Sequence, residues 1–451
     1  MLNWLRSAYK VRPASGRSVA SLDALGKTGL IMPKHLLLFA STTGYQIRAF
    51  ADAARRLGAD LTLATDRCHV LEDPWGDHAI PVKFDQTSES LEALRGLRFD
   101  GVAAVGDRPA VLAAKAAKML GIPFHPPGAA RACHDKYLAR QLYQAAGLRL
   151  PRFFLVPLDE GPHAASRRAH YPCVLKPLGL SASRGVIRAN DEGEFRAAFE
   201  RIRALLEESP DLRGAVEEEK QYVQVEDYIE GREFAIEGLV SQGRLHTLAI
   251  FDKPDALEGP FFEETIYVTP SRESEAVQRS LVETAAQAVQ ALGLRRGPAH
   301  VELRFNSAGA WILETAARPI GGLCAKTLRF DLGEGRPVPL EELIIRHAFG
   351  EDIPNSRLEA PACGVMMIPI PKRGIYESTD GVERAAAVPG IEEVMITAKP
   401  GQRLMPLPEG ASYLGFIFAR GDKPEEVETA LRRSHAELRF HLATELETLR
   451  P

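Results

Sequence analysis

The chain has 451 residues and a formal net charge of −4, and 45% of its residues are hydrophobic. A chain of this length exceeds one compact core, so we expect about two to four domains. The slightly acidic balance excludes a general basic surface for nucleic acid or for an anionic membrane. The longest apolar runs, such as LLLFA at 36–40, are too short to cross a bilayer.

The five cysteines are widely scattered, and no two of them have the spacing of a metal site. An odd number of dispersed thiols is typical of a reducing compartment. We therefore expect a cytoplasmic protein without disulfides.

The N-terminal third begins with an extension over residues 1–33, which is basic and has no clear periodicity. We expect this extension either to be disordered or to serve as a targeting or docking arm. Strand and helix patterns then alternate from Lys34 to about residue 130, and this alternation predicts βαβ units with a parallel sheet. The turn STTGYQ after the first strand lacks G-x-G-x-x-G, so no dinucleotide site is predicted there.

The remaining two thirds contain mixed elements. The predicted elements are a helix at 133–148 with Asp135 as its N-cap, a strand–turn–strand at 171–189, a helix at 191–209, a strand meander at 221–253, a helix at 273–294, a hairpin at 299–319 and a last helix near 423–447. Between about residue 345 and the last helix we expect short strands joined by Gly/Pro turns.

Two carboxylates face each other in the predicted hairpin. If its turn centres on Ala308, Glu302 and Glu314 lie opposite each other, about 5 Å apart at Cβ. Carboxylates this close repel each other unless a proton or a cation lies between them, and hard oxygen ligands suit Mg²⁺. The alternative is an exposed cross-strand pair, although the two strands are otherwise apolar.

A lysine precedes a loop of small residues in VLKPLGLSASRGV. Lys176 ends an apolar strand, and glycines and serines follow it, namely Gly179, Ser181, Ser183 and Gly185. Small residues let backbone N–H groups approach an anion, and the lysine adds a point charge. The alternative is an ordinary glycine-containing hairpin with a surface lysine.

Three further charged residues carry weaker signals. Glu226 and Glu233 flank a turn at Gly231, where a carboxylate could accept hydrogen bonds from ribose hydroxyls or an exocyclic amine; solvated carboxylates are the alternative. Lys136 lies at a helix start, where surface lysines are common.

Taken in chain order, these four features resemble the ATP-grasp superfamily over roughly residues 34–345. The resemblance depends on order and spacing rather than on one motif. Residues 372–421 look like the C-terminal domain of L-amino acid ligases, and so does the stretch FDKPDALEGPFFEETIYVTPS. Many ATP-grasp enzymes have an asparagine two residues after the second metal carboxylate. Ala316 stands there in this chain, and the sequence Glu-x-Ala-Ala-Arg resembles the ligase branch.

The resemblance implies a multidomain fold of the α/β and α+β classes. The implied units are the N-terminal extension (1–33), a parallel α/β domain (34–130), an ATP-grasp domain with an antiparallel sheet (131–345) that includes a small lid (roughly 165–230), and a C-terminal domain (346–451).

The resemblance also implies roles for the site residues. Lys136 and Lys176 would hold the phosphates of ATP, with the loop containing Ser181 and Ser183 closing over them. The implied roles of the other residues are adenine contacts for Glu226 and the backbone of Asp227–Ile229, a ribose contact for Glu233, ligation of one or two Mg²⁺ or Mn²⁺ ions by Glu302 and Glu314, and contact with an acyl phosphate for Arg318.

The activity implied is an ADP-forming ligase that activates a carboxylate as an acyl phosphate and couples it to an amine, giving a dipeptide or another amide. Lys176 and Arg318 would be catalytic, and Glu264, or its neighbour Glu263, could bind a substrate ammonium. His300, Gly321 and Gly322 could also line the substrate site. The partners are then small molecules, and a homodimer remains open. The alternatives are a carboxylase that activates bicarbonate and a nucleotide-binding protein without turnover.

Overall fold

The computed structural model describes residues 33–41, 44–66, 79–208, 217–351, 356–359 and 361–444. Apart from Pro33, the predicted N-terminal extension lies outside these ranges. Within them, no helix has both the length and the hydrophobicity that a bilayer crossing requires. The four cysteines in the same part of the chain are free and buried.

The N-terminal unit is the predicted parallel α/β domain. Its elements are β1 (His35–Ala40), α1 (Ile47–Arg56), β2 (Asp60–Thr65), β3 (Ile80–Pro81), α2 (Thr87–Leu94), β4 (Gly101–Val105) and α3 (Asp107–Leu120). The sheet has the order β3–β2–β1–β4, and all three strand pairs are parallel. β1 is buried from Leu36 onwards because helices cover both faces of the sheet.

Two short helices connect this unit to the rest, α4 (Pro127–His134) and α5 (Lys136–Ala145). The prediction of one helix from Cys133 missed the break at Asp135. The Asp135 carboxylate accepts hydrogen bonds from the N–H groups of Tyr137 and Leu138, at 3.1 and 3.0 Å. Asp135 is therefore the predicted N-cap of α5, and it fixes Lys136 at the first helical position.

The lid has its own antiparallel sheet and its own core. Its elements are β5 (Phe153–Pro157), α6 (Pro162–Arg168), β6 (Cys173–Pro177), β7 (Ile187–Ala189), α7 (Glu192–Glu208), α8 (Glu217–Gln221) and β8 (Tyr222–Asp227). The strand order is β5–β8–β6–β7. The apolar face of α7, including Phe195 and Phe199, packs against these strands.

The central unit begins after the lid. Its first elements are β9 (Arg232–Ser241), β10 (Arg244–Lys253), β11 (Ile266–Thr269), α9 (Glu275–Leu292), β12 (Gly297–Asn306) and β13 (Gly309–Ala316). A 3₁₀ turn (Cys324–Thr327) leads to a smaller sheet made of β14 (Arg329–Asp331), β15 (Val338–Pro339) and β16 (Arg357–Leu358), with α10 (Leu340–Ala348) between β15 and β16.

The C-terminal elements join the central sheet. They are β17 (Ala362–Ile368), β18 (Gly374–Asp380), α11 (Val382–Ala386), β19 (Ile391–Ile396), β20 (Arg403–Leu404), β21 (Gly415–Gly421), α12 (Pro424–Ala436) and β22 (Arg439–Ala443). The resulting eight-stranded sheet has the order β13–β12–β9–β10–β11–β17–β21–β19. The regions predicted as 131–345 and 346–451 therefore share one sheet.

The prediction of a helix near 423–447 was wrong between Ala436 and residue 444, and residues 445–447 lie outside the described ranges. Leu438 and Leu442 continue the helical spacing of Val427 and Leu431, but with Phe440 they also alternate like a strand. The segment forms β22, which pairs with β18. Short apolar patterns of this kind do not distinguish helix from strand, and the partner strand decides.

His125 fastens the segment before α4 to the central sheet, and this gives a pH-dependent contribution to stability. Its Nε2 lies 3.0 Å from the carbonyl of Pro298, and its Nδ1 accepts from the N–H of Arg295 at 3.3 Å. A proton on Nδ1 would face that N–H, and burial lowers the His125 pKa to about 4.

Because this folded-state pKa lies below the usual value of about 6.5, the His125 contribution is complete above pH 6.5 and is lost as the pH falls toward 4. We expect up to roughly 3 kcal/mol of unfolding free energy to depend on this group. Denaturant titrations from pH 7 to pH 4.5 should show a shallower pH slope for His125→Gln than for the wild type. Equal slopes would contradict the assignment.

Candidate functional site

Two cavities meet at a shared wall in the middle of the molecule. The first contains about 750 Å³ of space and lies between the lid and the central sheet. The second contains about 1270 Å³ and lies between the N-terminal unit, the central sheet and the C-terminal strands. Both cavities are lined by Ser181, Ala182, Ser183, Glu264, Glu302 and Glu314.

The hairpin places Glu302 directly opposite Glu314, as predicted. The predicted turn centre was wrong, because Asn306 pairs with Gly309 and the loop is Ser307–Ala308. If the two strands paired regularly from that turn, without a bulge, Glu302 would face Leu313. A β-bulge between Glu302 and Leu303 makes Leu313 an extra residue, and this restores the pairing of the two carboxylates.

The two carboxylates fit a divalent cation. In the described part of the structure, Glu314 accepts no hydrogen bond and has no ion-pair partner within 4.0 Å. Burial, together with the charges of Glu233 and Glu314, raises the pKa of Glu302 despite the nearby Lys253. This surplus of negative charge is what a hard cation would neutralise.

Lys253 lies at the centre of three carboxylates, and sequence reasoning missed it. Its side chain is 3% exposed, and its ammonium contacts Glu233 at 2.8 Å, Glu264, and Glu302 at 3.6 Å. Oxygens of these three carboxylates all lie within 4.8 Å of one another. Their charges raise the Lys253 pKa well above its usual value even though burial opposes this. A charged residue at the end of the apolar strand β10 was the available signal.

The Glu233 side chain lines the first cavity, where Lys253 and Arg304 hold it in place. Arg304 donates to it at 3.0 Å, and although burial opposes ionisation, Lys253 and Arg304 lower the Glu233 pKa. The Arg304 guanidinium also packs over the Tyr228 ring and donates to the carbonyl of Ile229. Arg304 therefore supports both Glu233 and the hinge, the segment Asp227–Ile229 at the end of the lid before β9.

Glu226 has a different environment from the one predicted. It is 3% exposed, and its two oxygens accept from Arg140 at 2.6 and 3.1 Å, from Gln224 at 2.6 Å and from Lys176 at 2.6 Å. These donors fill its acceptor positions, and the lysine and arginine keep its pKa low in spite of burial. Glu226 thus supports Lys176 and Arg140, and direct contact with adenine stays a prediction.

The loop after β6 covers both cavities. Lys136 donates to the carbonyl of Leu180 at 2.6 Å and so ties the loop to α5. Ala182 and Ser183 have φ angles of 56° and 55°, which are unfavourable for residues with a side chain. Strained backbone of this kind clusters at ligand clamps and active sites, which agrees with the predicted role of this loop.

The backbone of the hinge borders the first cavity. Asp227, Tyr228 and Ile229 line it together with Phe262. The N–H of Asp227 donates to the carbonyl of Arg152 and that of Tyr228 to the carbonyl of Pro172, whereas the N–H of Ile229 donates to none of the described residues. A free hinge N–H suits an acceptor nitrogen of a planar base.

Arg318 lies in the second cavity, where Asp107 binds it. Its Nε and Nη2 donate to Asp107 at 2.8 and 3.3 Å. Asp107 was missed because its partner lies more than two hundred residues away in the sequence. The bidentate pair joins the N-terminal unit to the central sheet and fixes the guanidinium beside Glu302 and Glu314.

His300, Gly321 and Gly322 also line the second cavity, as predicted. His300 lies 3.1 Å from the fully buried Glu237 through Nδ1 and 3.4 Å from Glu302 through Nε2. Gly322 has a φ of 59°, and a side chain there would meet the Phe416 ring, with Cβ at 3.2 Å. The cavity therefore needs glycine at this position.

A C-terminal loop fastens the lid. Glu409 accepts two hydrogen bonds from Arg201 of α7, and its carbonyl accepts from Arg184 at 2.9 Å. The N–H of Gly185 donates to the carbonyl of Pro408 at 2.8 Å. The lid loop is thus anchored by a part of the chain that follows the central unit.

Comparison with protein families gave three matches. They are the ATP-grasp domain over residues 169–327, the ATP-grasp N-terminal domain over residues 51–124, and L-amino acid ligase C-terminal domain 2 over residues 366–443. The three regions follow the chain order of the units described above.

Individual relatives agree with these matches. An uncharacterized protein of Sinorhizobium fredii is 24% identical over 94% of this chain and 87% of its own. Alanine–anticapsin ligase of Bacillus amyloliquefaciens is 28% identical over 56% of this chain and 55% of its own, so the alignment spans about half of that relative. The solved L-amino acid ligase from Bacillus licheniformis has a TM-score of 0.73 and 26% identity over 91% of this chain and 99% of its own.

Removal of the buried Lys253 charge should destabilise the protein in a pH-dependent way. Lys253→Met removes the cation that Glu233, Glu264 and Glu302 share, although Glu233 keeps Arg304. We expect a loss of about 3–5 kcal/mol at pH 7. Burial raises the pKa values of Glu264 and Glu302 even with the lysine present, and they should rise further without it, so the loss should shrink as the pH falls and these carboxylates become protonated.

The measurement is denaturant unfolding at pH 7 and pH 5, with Lys326→Met as the control. Lys326 also pairs with a carboxylate, that of Glu393, but both side chains are more than 40% exposed. A loss for Lys253→Met that is equal at both pH values would refute the electrostatic explanation.

Proposed function

We propose that this ATP-grasp protein, which carries an L-amino acid ligase C-terminal domain, is an ADP-forming ligase that joins a carboxylate to an amine. The carboxylate is that of an amino acid, and the amine belongs to a second amino acid or a related small molecule. The product is a dipeptide or another amide.

One observation carries the proposal. The two cavities share a wall made of Glu264, Glu302 and Glu314 and the strained loop at 181–183. A nucleotide in the first cavity would direct its terminal phosphate toward that wall, and a substrate in the second cavity would meet the phosphate there. Two cavities joined at a carboxylate-rich wall suit phosphoryl transfer between two bound molecules.

The residues of the first cavity suit ATP. Its hinge offers a backbone N–H for the base, Glu233 lies near it for a ribose, and Lys136 and Lys176 supply positive charge toward the phosphates. Glu302 and Glu314 would hold Mg²⁺, which supplies charge neutralisation for the transferred phosphoryl group. These assignments support binding of MgATP rather than of a nucleotide without metal.

The first step forms an acyl phosphate. A carboxylate oxygen of the substrate attacks the γ-phosphorus, the bond to the β-phosphate oxygen breaks, and ADP leaves. Lys176 lies within the first cavity and Arg318 lines the second. Their charges stabilise the negative charge that builds on the transferred oxygens.

The second step forms the amide. The incoming ammonium first loses one proton to solvent, and the neutral amine then attacks the acyl carbon. Phosphate leaves with the bonding electrons, and a second amine proton passes to solvent or phosphate. Arg318 donates to the oxygen that becomes negative in the tetrahedral intermediate. Glu264 would attract the ammonium form of the incoming amine, although it also pairs with Lys253.

The experiment is ADP and phosphate release with MgATP against pairs of amino acids. We expect release that requires two substrates together, and the amide is identified by mass spectrometry. Glu314→Gln should lower turnover at least about a hundredfold without loss of fold, because the site loses its unpartnered carboxylate. The control is Glu377→Gln, an exposed carboxylate on β18.

Other outcomes separate the alternatives. Release stimulated by bicarbonate alone would favour a carboxylase. Tight ATP binding without release for any pair would favour a nucleotide-binding protein. Full activity of Glu314→Gln would refute the role of Glu314 as a metal ligand.

The contact of Glu409 with the lid should limit hydrolysis of the acyl phosphate. Glu409→Ala removes the Arg201 pair, whose side chains are 46% and 31% exposed, so its effect on global stability should be small. The lid should open more often, and water should then reach the acyl phosphate. We expect the ratio of phosphate released to amide formed to rise at least about twofold.

The matched control is Glu437→Ala, which removes an exposed pair with Arg384 outside the lid. This control should leave the ratio unchanged. The same ratio in wild type and Glu409→Ala would show that the Arg201–Glu409 pair does not control closure.

A further inference from the structure

Arg140 is a buried arginine that contacts both the lid and the hairpin, and it is not among the residues that line the first cavity. It lies on α5, and its side chain is only 3% exposed. Its guanidinium donates to Glu226 through Nε and Nη2 at 2.6 and 3.1 Å. It also donates to the carbonyls of Ile312 and Leu313 at 3.3 and 2.9 Å.

The two carbonyls belong to the β-bulge of the hairpin. Leu313 is the extra residue that the β12–β13 ladder leaves unpaired. A buried backbone carbonyl without a partner is unfavourable, so a bulge at this depth needs a donor from outside the ladder. Arg140 is that donor for the bulged residue and for its neighbour.

The bulge determines which residue faces Glu302. The pairing of Asn306 with Gly309, continued without a bulge, would place Leu313 opposite Glu302 and move Glu314 out of register. Since successive side chains in a strand point to opposite faces, Glu314 would then turn away from Glu302. The placement of Glu314 opposite Glu302 thus depends on the bulge whose carbonyls Arg140 binds.

Arg140 also affects Lys176, indirectly through Glu226. Arg140 and Lys176 bind the same carboxylate, and Lys176 donates to Glu226 at 2.6 Å. Without Arg140, Glu226 would keep Gln224 and Lys176 as donors, and its attraction for the lysine would increase. The ammonium would then be less available to a phosphate.

We propose that Arg140 is a positioning residue that sets the bulge, and with it the Glu302–Glu314 pair, for a divalent cation and at the same time releases part of the Lys176 charge to the phosphates. The inference rests on the proposed function, because it concerns the metal and nucleotide of that site. A lysine cannot replace the arginine, since one ammonium cannot bind a carboxylate and two carbonyls in fork geometry.

The test measures binding of Mn²⁺ to the full-length protein with ADP, by electron paramagnetic resonance, so that no turnover is needed. Arg140→Met should weaken Mn²⁺ binding at least about tenfold, the size usual for residues that orient metal ligands. Arg140→Lys should be intermediate. Arg149→Met is the control, because Arg149 is exposed and packs over Trp311 of the same hairpin at 5.4 Å.

A purely structural role gives a different pattern. It would lower the melting temperature of Arg140→Met and Arg140→Lys while the Mn²⁺ affinity of the folded protein stayed at the wild-type value, and this would overturn the inference. If Arg140→Met does not fold, Arg140→Lys decides by the same criterion. In steady-state kinetics at saturating ATP, the inference requires that Arg140→Met and Arg140→Lys have a higher KM for Mg²⁺ than the wild type.

The same measurements distinguish failure of the proposed function from failure of the inference about Arg140. If wild type and Glu314→Gln bind Mn²⁺ equally weakly in the presence of ADP, the metal site is absent and both proposals fall. If wild type binds Mn²⁺ and Glu314→Gln does not, but Arg140→Met binds like wild type, only the inference about Arg140 is wrong.

Discussion

The burial of several carboxylates on one face of the central sheet is the constraint on which the site depends. Glu233, Glu264 and Glu302 come together around Lys253, and Glu314 lies opposite Glu302. Buried carboxylates stay ionised only when cations or donors surround them. Lys253 and Arg304 supply these at Glu233, whereas Glu302 has a raised pKa and Glu314 has no ion-pair partner among the described residues. The charge imbalance is therefore greatest where the two cavities meet.

The N-terminal unit, the central unit and the C-terminal elements meet around this face, so the site depends on the whole molecule. One hydrophobic core contains Leu38 of the N-terminal sheet, Leu343 of α10 and Phe416 of β21. The Asp107–Arg318 pair crosses the same boundary on the side of the cavity. The buried residues of the lid core all belong to the lid itself. The lid and the rest of the site are thus different structural units, an arrangement that suits a cover over a site that must exclude water.

The predicted residues that the structure places at the cavities are those whose signal is local. Lys136 follows its own N-cap, Lys176 precedes its own loop, and Glu302 and Glu314 belong to one hairpin. Asp107 and Arg140 were missed because their partners lie far away in the sequence. Lys253 was missed although its position at the end of an apolar strand was a local signal. The hairpin combines both cases: the pairing of the carboxylates was right although the turn centre was wrong, because a bulge compensated for the difference. Bulges depend on contacts from other elements, and here α5 provides them.

Glu226 has partners that its place before the hinge did not indicate. The resemblance implied contact with adenine, which stays a prediction, and in the structure its four acceptor positions are taken by Arg140, Gln224 and Lys176. A carboxylate with a strongly lowered pKa and no free lone pair acts as a fixed negative charge. That charge lies between Arg140, which binds the hairpin carbonyls, and Lys176, which lines the first cavity. The geometry of the Glu302–Glu314 pair and the charge that Lys176 presents to the first cavity are therefore coupled through one buried ion cluster, so a change in one should alter the other.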